Sequence, residues 1–413
     1  MAALIPRHIR PQLVSALGDS RVVCLLGARQ AGKSTLVRLI AGDEHPARYV
    51  TLDDRAALEL AREDPNAFLA GDERLAIDEV QRAPDLLLAI KQVVDRDPAP
   101  GRFLITGSAD IVTHPRIADA LPGRVDYMTL WPFSQSELAQ RVPSFIEKAF
   151  NGEQPSAEDP PVGRQGYAEL LVQGGFPEAV GATPARRRRF FAGYADSILG
   201  REIDELGSVR DSGASSRILR LAAARSASLT NLSAIGRELG IDHKTVANHL
   251  HALEQLFLLV RLPAWHANLG HRVVRSAKLH IADTGMLCAL IGVDAKRLVE
   301  DGALSGGVFE SFAVTELVKQ ADAGELAPEL SFHHYRDQPG NEVDLLIEHA
   351  NGELVGIEVK ATATPRPRDA AGLKLLRDKL GDRFRQGFVL HLGPERIPLG
   401  DRVSALPLAS IWS

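Results

Sequence analysis

The 413-residue chain is poor in three things: cysteine, with two; positive charge, with 48 Lys and Arg against 53 Asp and Glu; and long apolar runs. Each scarcity excludes a class of protein. Cys24 lies in the apolar run before a glycine loop and Cys288 in an apolar helix-like stretch, so both read as small buried hydrophobes rather than a disulfide pair. No run approaches the ~20 apolar residues that span a bilayer, so no membrane partner is expected. The opening MAALIPRHIRPQL lacks the apolar core and cleavage-like end of a signal peptide. A reducing cytoplasm is therefore the expected compartment. A net charge of -5 provides no global field for nucleic acid, which would have to be met by local patches such as ARRRRFF. No internal repeat is visible.

What is present is ordinary soluble composition, 45% hydrophobic and 24% charged, over a length that suits two to four domains. Up to about residue 140, the runs RVVCLLG, ARYVTLD, RLAIDEV, GRFLITGS and VDYMTLW alternate with helix-like segments. Each reads as a strand, mostly buried on both faces, the pattern of a largely parallel α/β sheet. Residues 143–166, which include NGEQPSAEDPPVGRQG, read as a linker or loop, and 167–225 as a helical lid or connector interrupted at LLVQGGFPEAV. In 226–298, NLSAIGRELG places Leu232, Ile235 and Leu239 on one helix face and ends at Gly240. A second helix opens at Asp242 as N-cap, and two strands joined by a polar loop follow it. That order predicts a winged helix-turn-helix. Residues 299–413 begin with the helix GVFESFAVTELVKQ and continue as strand-like runs.

The chemistry is written most densely at CLLGARQAGKST. Gly27, Ala28, Arg29, Gln30, Ala31, Gly32, Lys33 and Ser34 satisfy G-x-x-x-x-G-K-[ST] between a strand-like run and an amphipathic helix. Loop N–H groups at a helix N-terminus suit phosphates. Lys33 is expected to reach the β- and γ-phosphates of ATP, Ser34 to hold Mg²⁺, and Thr35 to complete the nucleotide contacts. RLAIDEVQ then supplies Asp78 for Mg²⁺ and Glu79 to polarise the attacking water. Thr106 or Ser108, after the next run, stands where AAA-type ATPases sense the γ-phosphate. Arg116 or Arg124 is a candidate arginine finger acting on a neighbouring subunit, with Lys33, Glu79 and Arg124 as the catalytic set.

These motifs, together with LITGSAD, LPGRVDYMTLWPFSQSEL, GGFPE, AKLHIADTGMLCALIG and NEVDLLIE…IEVK, run through nearly the whole chain. It resembles the prokaryotic AAA-type (P-loop) ATPases whose C-terminal half is of restriction-endonuclease-like (PD-(D/E)XK) type. The resemblance implies an α/β protein: an ATPase core over 1–142, the central helical and winged region, and a restriction-endonuclease-like domain over 299–413. Alternation along a strand puts Glu358 and Lys360 on one face. In restriction-type nucleases Asp344 and Glu358 would share Mg²⁺ and Lys360 would help activate water. A helix glutamate completes such a set, and of Glu310 and Glu316 the former fits the resemblance better. His333 and His334 read as strand-edge histidines.

Lys244 and Asn248, four apart on one face of the second central helix, are candidate DNA contacts, flanked by His243 and His251. A lid or subunit contact is the other use of such a module. The expected function is an ATP-hydrolysing AAA-type protein, a homo-oligomer such as a hexameric ring, acting on DNA through a nuclease-like C-terminal domain. The alternatives are a nucleotide-controlled switch and a branched-DNA translocase whose last domain binds without cutting.

Overall fold

The computed structural model describes residues 4–71, 73–107, 123–156, 162–205, 212–268, 272, 276–337 and 340–413. Ser108 and Arg116 lie outside the described residues. The chain divides into two compact units, Met1–Pro132 with Gln255–Phe257 and Asp322–Glu325, and Phe133–Glu254 with Leu258–Ala321 and Leu326–Ser413.

In the first unit, β1 (Val22–Leu26), β2 (Arg48–Thr51), β3 (Leu75–Asp78), β4 (Phe103–Gly107) and β5 (Val125–Thr129) form one sheet in the order β2-β3-β4-β1-β5. Every pairing is parallel. Period-two alternation splits the apolar runs between two cores. Val22, Cys24 and Leu26 join Ile77, Ile105 and the Leu86, Leu87 and Ile90 face of helix Asp85–Arg96. Val23 and Leu25 join Ala76, Leu104 and the Leu36, Val37 and Ile40 face of helix Lys33–Gly42. This is why VVCLL carries no polar position: both faces are covered by helices. The order also sets β4 between β1 and β3, so the carboxyl ends of all three strands open on the same edge.

The second unit holds the antiparallel ribbon β6 (Leu259–Leu262) and β7 (Lys278–Ile281). It also holds a six-stranded sheet in the order β12-β13-β11-β10-β9-β8. Its strands are β8 (Leu330–Arg336), β9 (Glu342–His349), β10 (Leu354–Lys360), β11 (Phe384–His391), β12 (Ile397–Gly400) and β13 (Val403–Pro407). β8, β9 and β10 run as an antiparallel meander, with the β9–β10 turn falling in HANGE. β10 and β11 are parallel, which requires a crossover, and helix Ala371–Leu380 makes it. Ahead of the ribbon come helices Ser212–Ala224, Leu232–Leu239 and His243–Gln255. Asn231 caps the second of these by accepting from the Ala234 N–H at 2.9 Å, and Gly240 ends it in the left-handed conformation.

Two expectations need adjustment. Residues 143–166, read as linker or loop, contain the helix Phe145–Asn151 and the start of helix Arg164–Gln173. Phe145, Ile146, Ala149 and Phe150 are buried, and the Phe145 ring lies 5.3 Å from that of Phe388 on β11. Nearby Pro, Gly and acidic residues masked this short amphipathic stretch. The segments read separately as 167–225, 226–298 and 299–413 lie within one compact unit except for Gln255–Phe257 and Asp322–Glu325. The physical reason is a run of backbone bonds from the ribbon to the sheet's edge strand. The His334 N–H donates to Pro263 O at 2.9 Å and the Trp265 N–H to His334 O at 2.6 Å. Trp265, 1% exposed, then fills the core with Tyr335, Leu346 and Leu373. His333 and His334 both lie on β8, the sheet's edge strand.

If ribbon and sheet share that core, Trp265→Ala should cost ~3–5 kcal/mol, the range for deleting a large buried aromatic. Urea denaturation of the full chain measures this, and a loss near zero would contradict the shared core.

Candidate functional site

In the first unit the loop from Gly27 to Gly32 joins β1 to helix Lys33–Gly42. Gly27 has φ +145°, and a Cβ there would stand 2.2 Å from Leu130 O, so only glycine fits. Gln30 and Gly32 also have positive φ, which turns the chain back over the helix end. Arg7 braces the loop from outside, donating to Ala31 O at 3.0 Å.

Lys33 is 5% exposed, and its Nζ donates to Gly27 O at 2.7 Å and Ala28 O at 3.0 Å. An ammonium carries three N–H donors, so the loop carbonyls hold Lys33 in place with capacity for an anion. Burial pulls its pKa down, opposed by the charges of Glu79 and Asp78. Ser34 is half-buried at the first turn of the helix, and Arg29 is half-buried while Gln30 and Thr35 are exposed. Ala28 and Ala31 are buried.

Asp78 ends β3, almost fully buried. Its Oδ1 accepts from the Thr106 hydroxyl at 2.5 Å and its Oδ2 from Tyr49 OH at 2.9 Å. The Thr106 Oγ1 in turn accepts from the Glu79 N–H at 3.0 Å. Thr106 is fully buried at the end of β4 and spends its hydroxyl on the acidic turn. It therefore braces Asp78 and Glu79; of the two residues expected from the sequence as the phosphate sensor, Thr106 or Ser108, it is the one that lies within the described residues. Glu79 sits at φ +60°, and its carboxylate accepts from the Gln81 side-chain amide. Arg124 makes a two-point pair with Asp95, Nε to Oδ1 at 2.5 Å and Nη2 to Oδ2 at 3.1 Å. As a finger for a neighbouring subunit it would have to leave that carboxylate.

A buried lysine over a glycine loop and an acid held by two neutral hydroxyls, two strands away, fit nucleotide phosphates with Mg²⁺. Asp78 keeps free lone pairs because each carboxylate oxygen can accept more than once. Lys33 and Ser34 on one side and Asp78 and Glu79 on the other are the groups that would hold the nucleotide and its metal.

A second polar cluster lies in the second unit. Glu310 projects from helix Gly302–Asp322, Glu342 and Asp344 from β9, and Glu358 and Lys360 from β10. Into their midst comes Lys278 of β7, 2% exposed. Its Nζ lies 2.7 Å from Glu310 Oε1, 2.7 Å from Glu342 Oε1 and 3.3 Å from Asp344 Oδ1. Asp344 Oδ2 accepts from the Val359 N–H at 2.9 Å, and Lys360 Nζ donates to Glu358 Oε1 at 2.5 Å. Glu316 lies apart, paired with Lys319 at 2.9 Å and accepting the Gln135 N–H at 2.6 Å.

Four carboxylates thus face two ammonium groups. Burial, and then the charge of Asp344, push Glu358 up to about 8, and the same two causes raise Glu310. Burial alone would lower Lys278, but Asp344 and Glu310 outweigh it and hold the ammonium charged. A polar cleft of about 530 Å³ opens beside the cluster, lined by Glu310, Asp344, Lys360, Thr362, Arg366 and Arg368. The sequence reading missed Lys278. Its one signal was a lysine inside the apolar run AKLHIAD, two positions from His280, which is buried too and pushed down to about 3 by that burial and by Lys278.

On the second central helix His243, Lys244, Asn248 and His251 are exposed, while His249 turns inward against the Ser215 hydroxyl at 2.6 Å. Within the arginine run, Arg186 pairs with Glu178 at 3.2 Å.

Residues 19–139 match the model of the AAA domain, 164–297 that of a domain of unknown function (DUF8612), and 305–411 that of a domain of unknown function (DUF4143). Two uncharacterized proteins, from Mycobacterium tuberculosis and Mycobacterium bovis, are each 31% identical over 408 residues, 98% of this chain and 84% of theirs. Among solved structures, the Thermotoga maritima RuvB Holliday junction branch migration motor is 20% identical, covering 62% of this chain and 89% of that one, with a TM-score of 0.30. A DNA replication initiation factor is 13% identical, covering 60% and 86%, with a TM-score of 0.29. At these scores neither likeness bears on what the chain does. Among the described residues no helix is long and apolar enough to cross a membrane.

Thr106→Val keeps the shape of the side chain but removes both bonds of the brace. It should cost ~1–3 kcal/mol, the penalty of stranding a buried polar partner, measured by urea denaturation with and without ATP. Unchanged stability would show that the brace holds nothing.

Proposed function

We propose that this chain, which belongs to the family of the two mycobacterial proteins and carries an AAA domain over residues 19–139, uses ATP hydrolysis to act on DNA as an oligomer, gripping the DNA rather than cutting it. The observation that carries the nucleotide part is the meeting of Lys33, Asp78, Glu79 and Thr106 at the carboxyl ends of β1, β3 and β4. ATP with Mg²⁺ would supply the phosphoanhydride bond and the screening of its charge. The loop from Gly27 to Gly32, with Lys33, Ser34 and Thr35, would bind the phosphates. Ser34 and Asp78 would hold the metal, and the Glu79 carboxylate, steadied by Gln81, would take the proton of the attacking water. Arg124 is the candidate that a second subunit would offer to the γ-phosphate, which makes a ring the assembly we favour.

Three further parts belong to the same reading. Residues 1–142 form the ATPase core. In 226–298, the helix–helix–ribbon order supports a winged helix-turn-helix with Lys244 and Asn248 toward DNA. The helix, strand and Glu-x-Lys placement of Glu310, Asp344, Glu358 and Lys360 supports a restriction-endonuclease-like domain over 299–413. Gripping is favoured over cutting by one contact: Lys278 stands among the carboxylates that would hold a catalytic metal. Lys360, Arg366 and Arg368 leave the cleft suited to phosphodiester oxygens.

Steady-state ATPase assays test the first part. Lys33→Ala should abolish nucleotide binding, whereas Glu79→Gln should bind ATP normally and lower kcat by ~10²–10⁴-fold, the usual worth of a positioned base. Normal turnover in either variant would remove that residue from the mechanism. For the DNA part, linear or branched duplexes should stimulate turnover, and a Lys244→Glu/Asn248→Ala double variant should weaken the response by about tenfold or more. Turnover indifferent to every DNA structure would turn the reading toward a nucleotide-controlled switch.

A further inference from the structure

We propose that the Lys278 ammonium is the resident cation of the C-terminal acidic cluster and keeps divalent metal out of it. The resemblance to restriction-type nucleases implies a Mg²⁺ shared by Asp344 and Glu358, and the side chains as they stand do not fit one. A lysine ammonium has three donors and no acceptor. Here each donor has a carboxylate: Glu310 and Glu342 at 2.7 Å and Asp344 at 3.3 Å. Asp344 Oδ2 also accepts from the Val359 N–H and Glu358 Oε1 from Lys360, while Glu358 Oε2 has no partner among the described residues. These bonds would still leave lone pairs for a metal, and the group that does not fit beside one is the Lys278 ammonium. Mg²⁺ demands about six oxygens at ~2.0–2.1 Å in near-octahedral array. A nitrogen within hydrogen-bond distance of the same oxygens displaces it both sterically and by charge.

Lys278 is not a surface arm that can swing aside. Its backbone is paired on one edge with Leu262 of β6 and on the other with Leu229. The next inward residue of β7, His280, is fully buried against Ser311 of the helix that carries Glu310. Withdrawing the ammonium would require a rotamer change within a packed, buried site, and would leave three carboxylates with only the more distant charges of Arg336 and Lys360 to offset them. The chain therefore carries its own substitute for the metal's charge, on a strand outside the segment that supplies the acids. That arrangement preserves the shape and the polar floor of the cleft while withholding the Lewis acid that phosphodiester hydrolysis uses. The inference draws on the restriction-like reading only for the expectation of a metal.

Manganese binding to the nucleotide-free full chain, counted from the free-ion electron paramagnetic resonance signal, tests it without any activity. The wild type should bind no Mn²⁺ in the micromolar range. Lys278→Met should gain a single ion per chain, and Lys278→Met with Asp344→Asn should lose it again. The single variant should also melt below the wild type and be raised by Mn²⁺, with no such shift in the wild type. Wild-type binding of an ion that disappears in Asp344→Asn would overturn the proposal, as would a folded Lys278→Met that binds none. Should Lys278→Met fail to fold, the wild-type titration alone decides. An ATPase unmoved by DNA would defeat the functional reading and leave the manganese count as it is, so the two failures are distinguishable.

Discussion

The Lys278 ammonium joins groups that the chain brings from far apart: Glu310 on a helix, Glu342 and Asp344 on β9, and the lysine itself on β7. Taking these charges out of water is costly, and their attraction roughly offsets that cost only because each donor meets an acceptor. Removing one partner from such a cluster typically costs ~3–5 kcal/mol, so the ribbon, the helix and the sheet are held to one arrangement by a polar contact as well as by Trp265. The excess of carboxylates over ammoniums remains, and burial followed by the charge of Asp344 raises the pKa of Glu358 and Glu310. The same contact decides what the cleft can do, since the oxygens that bind the ammonium are those a metal would need.

The first unit follows a related rule with the opposite result. Asp78 is buried, yet its partners are the neutral hydroxyls of Thr106 and Tyr49. Among the described residues no cation in contact with it competes for its charge, and the ammonium nearest in function, Lys33, is tied instead to the loop carbonyls. One acidic site is thus left free for a metal and the other is filled from within the chain. This contrast, rather than any likeness to other structures, underlies the view that hydrolysis belongs to the nucleotide site and gripping to the C-terminal cleft.

Much of this was legible from local pattern. The five runs became five parallel strands: β1, β3 and β4 are buried along their length, which leaves no polar position in VVCLL, while β2 and β5 at the sheet edges are partly exposed. The glycine-loop spacing and the Asp-Glu pair are short-range signals, and so is the two-residue spacing that set Glu358 and Lys360 on one face. Glu310 rather than Glu316 reaches the cluster because they sit six positions apart on one helix, on different faces. What could not be read is long-range. Lys278 is 32 residues from Glu310 and 66 from Asp344, and a lysine in an apolar run does not announce its partners. The role of Thr106 depends on β4 lying between β1 and β3, a sheet order that spacing alone leaves open. The helix Phe145–Asn151 was hidden because its two turns of amphipathic pattern are too short to stand out beside proline and glycine.

The central claim is that the chain admits a divalent metal at the nucleotide and refuses one at the C-terminal acids. A crystal of the wild-type protein grown with Mn²⁺ and a non-hydrolysable ATP analogue, measured at the manganese edge, examines both places at once. The account predicts an anomalous peak beside Ser34 and Asp78 and none near Asp344. A peak within coordination distance of Asp344 and Glu358, with Lys278 displaced, would contradict it.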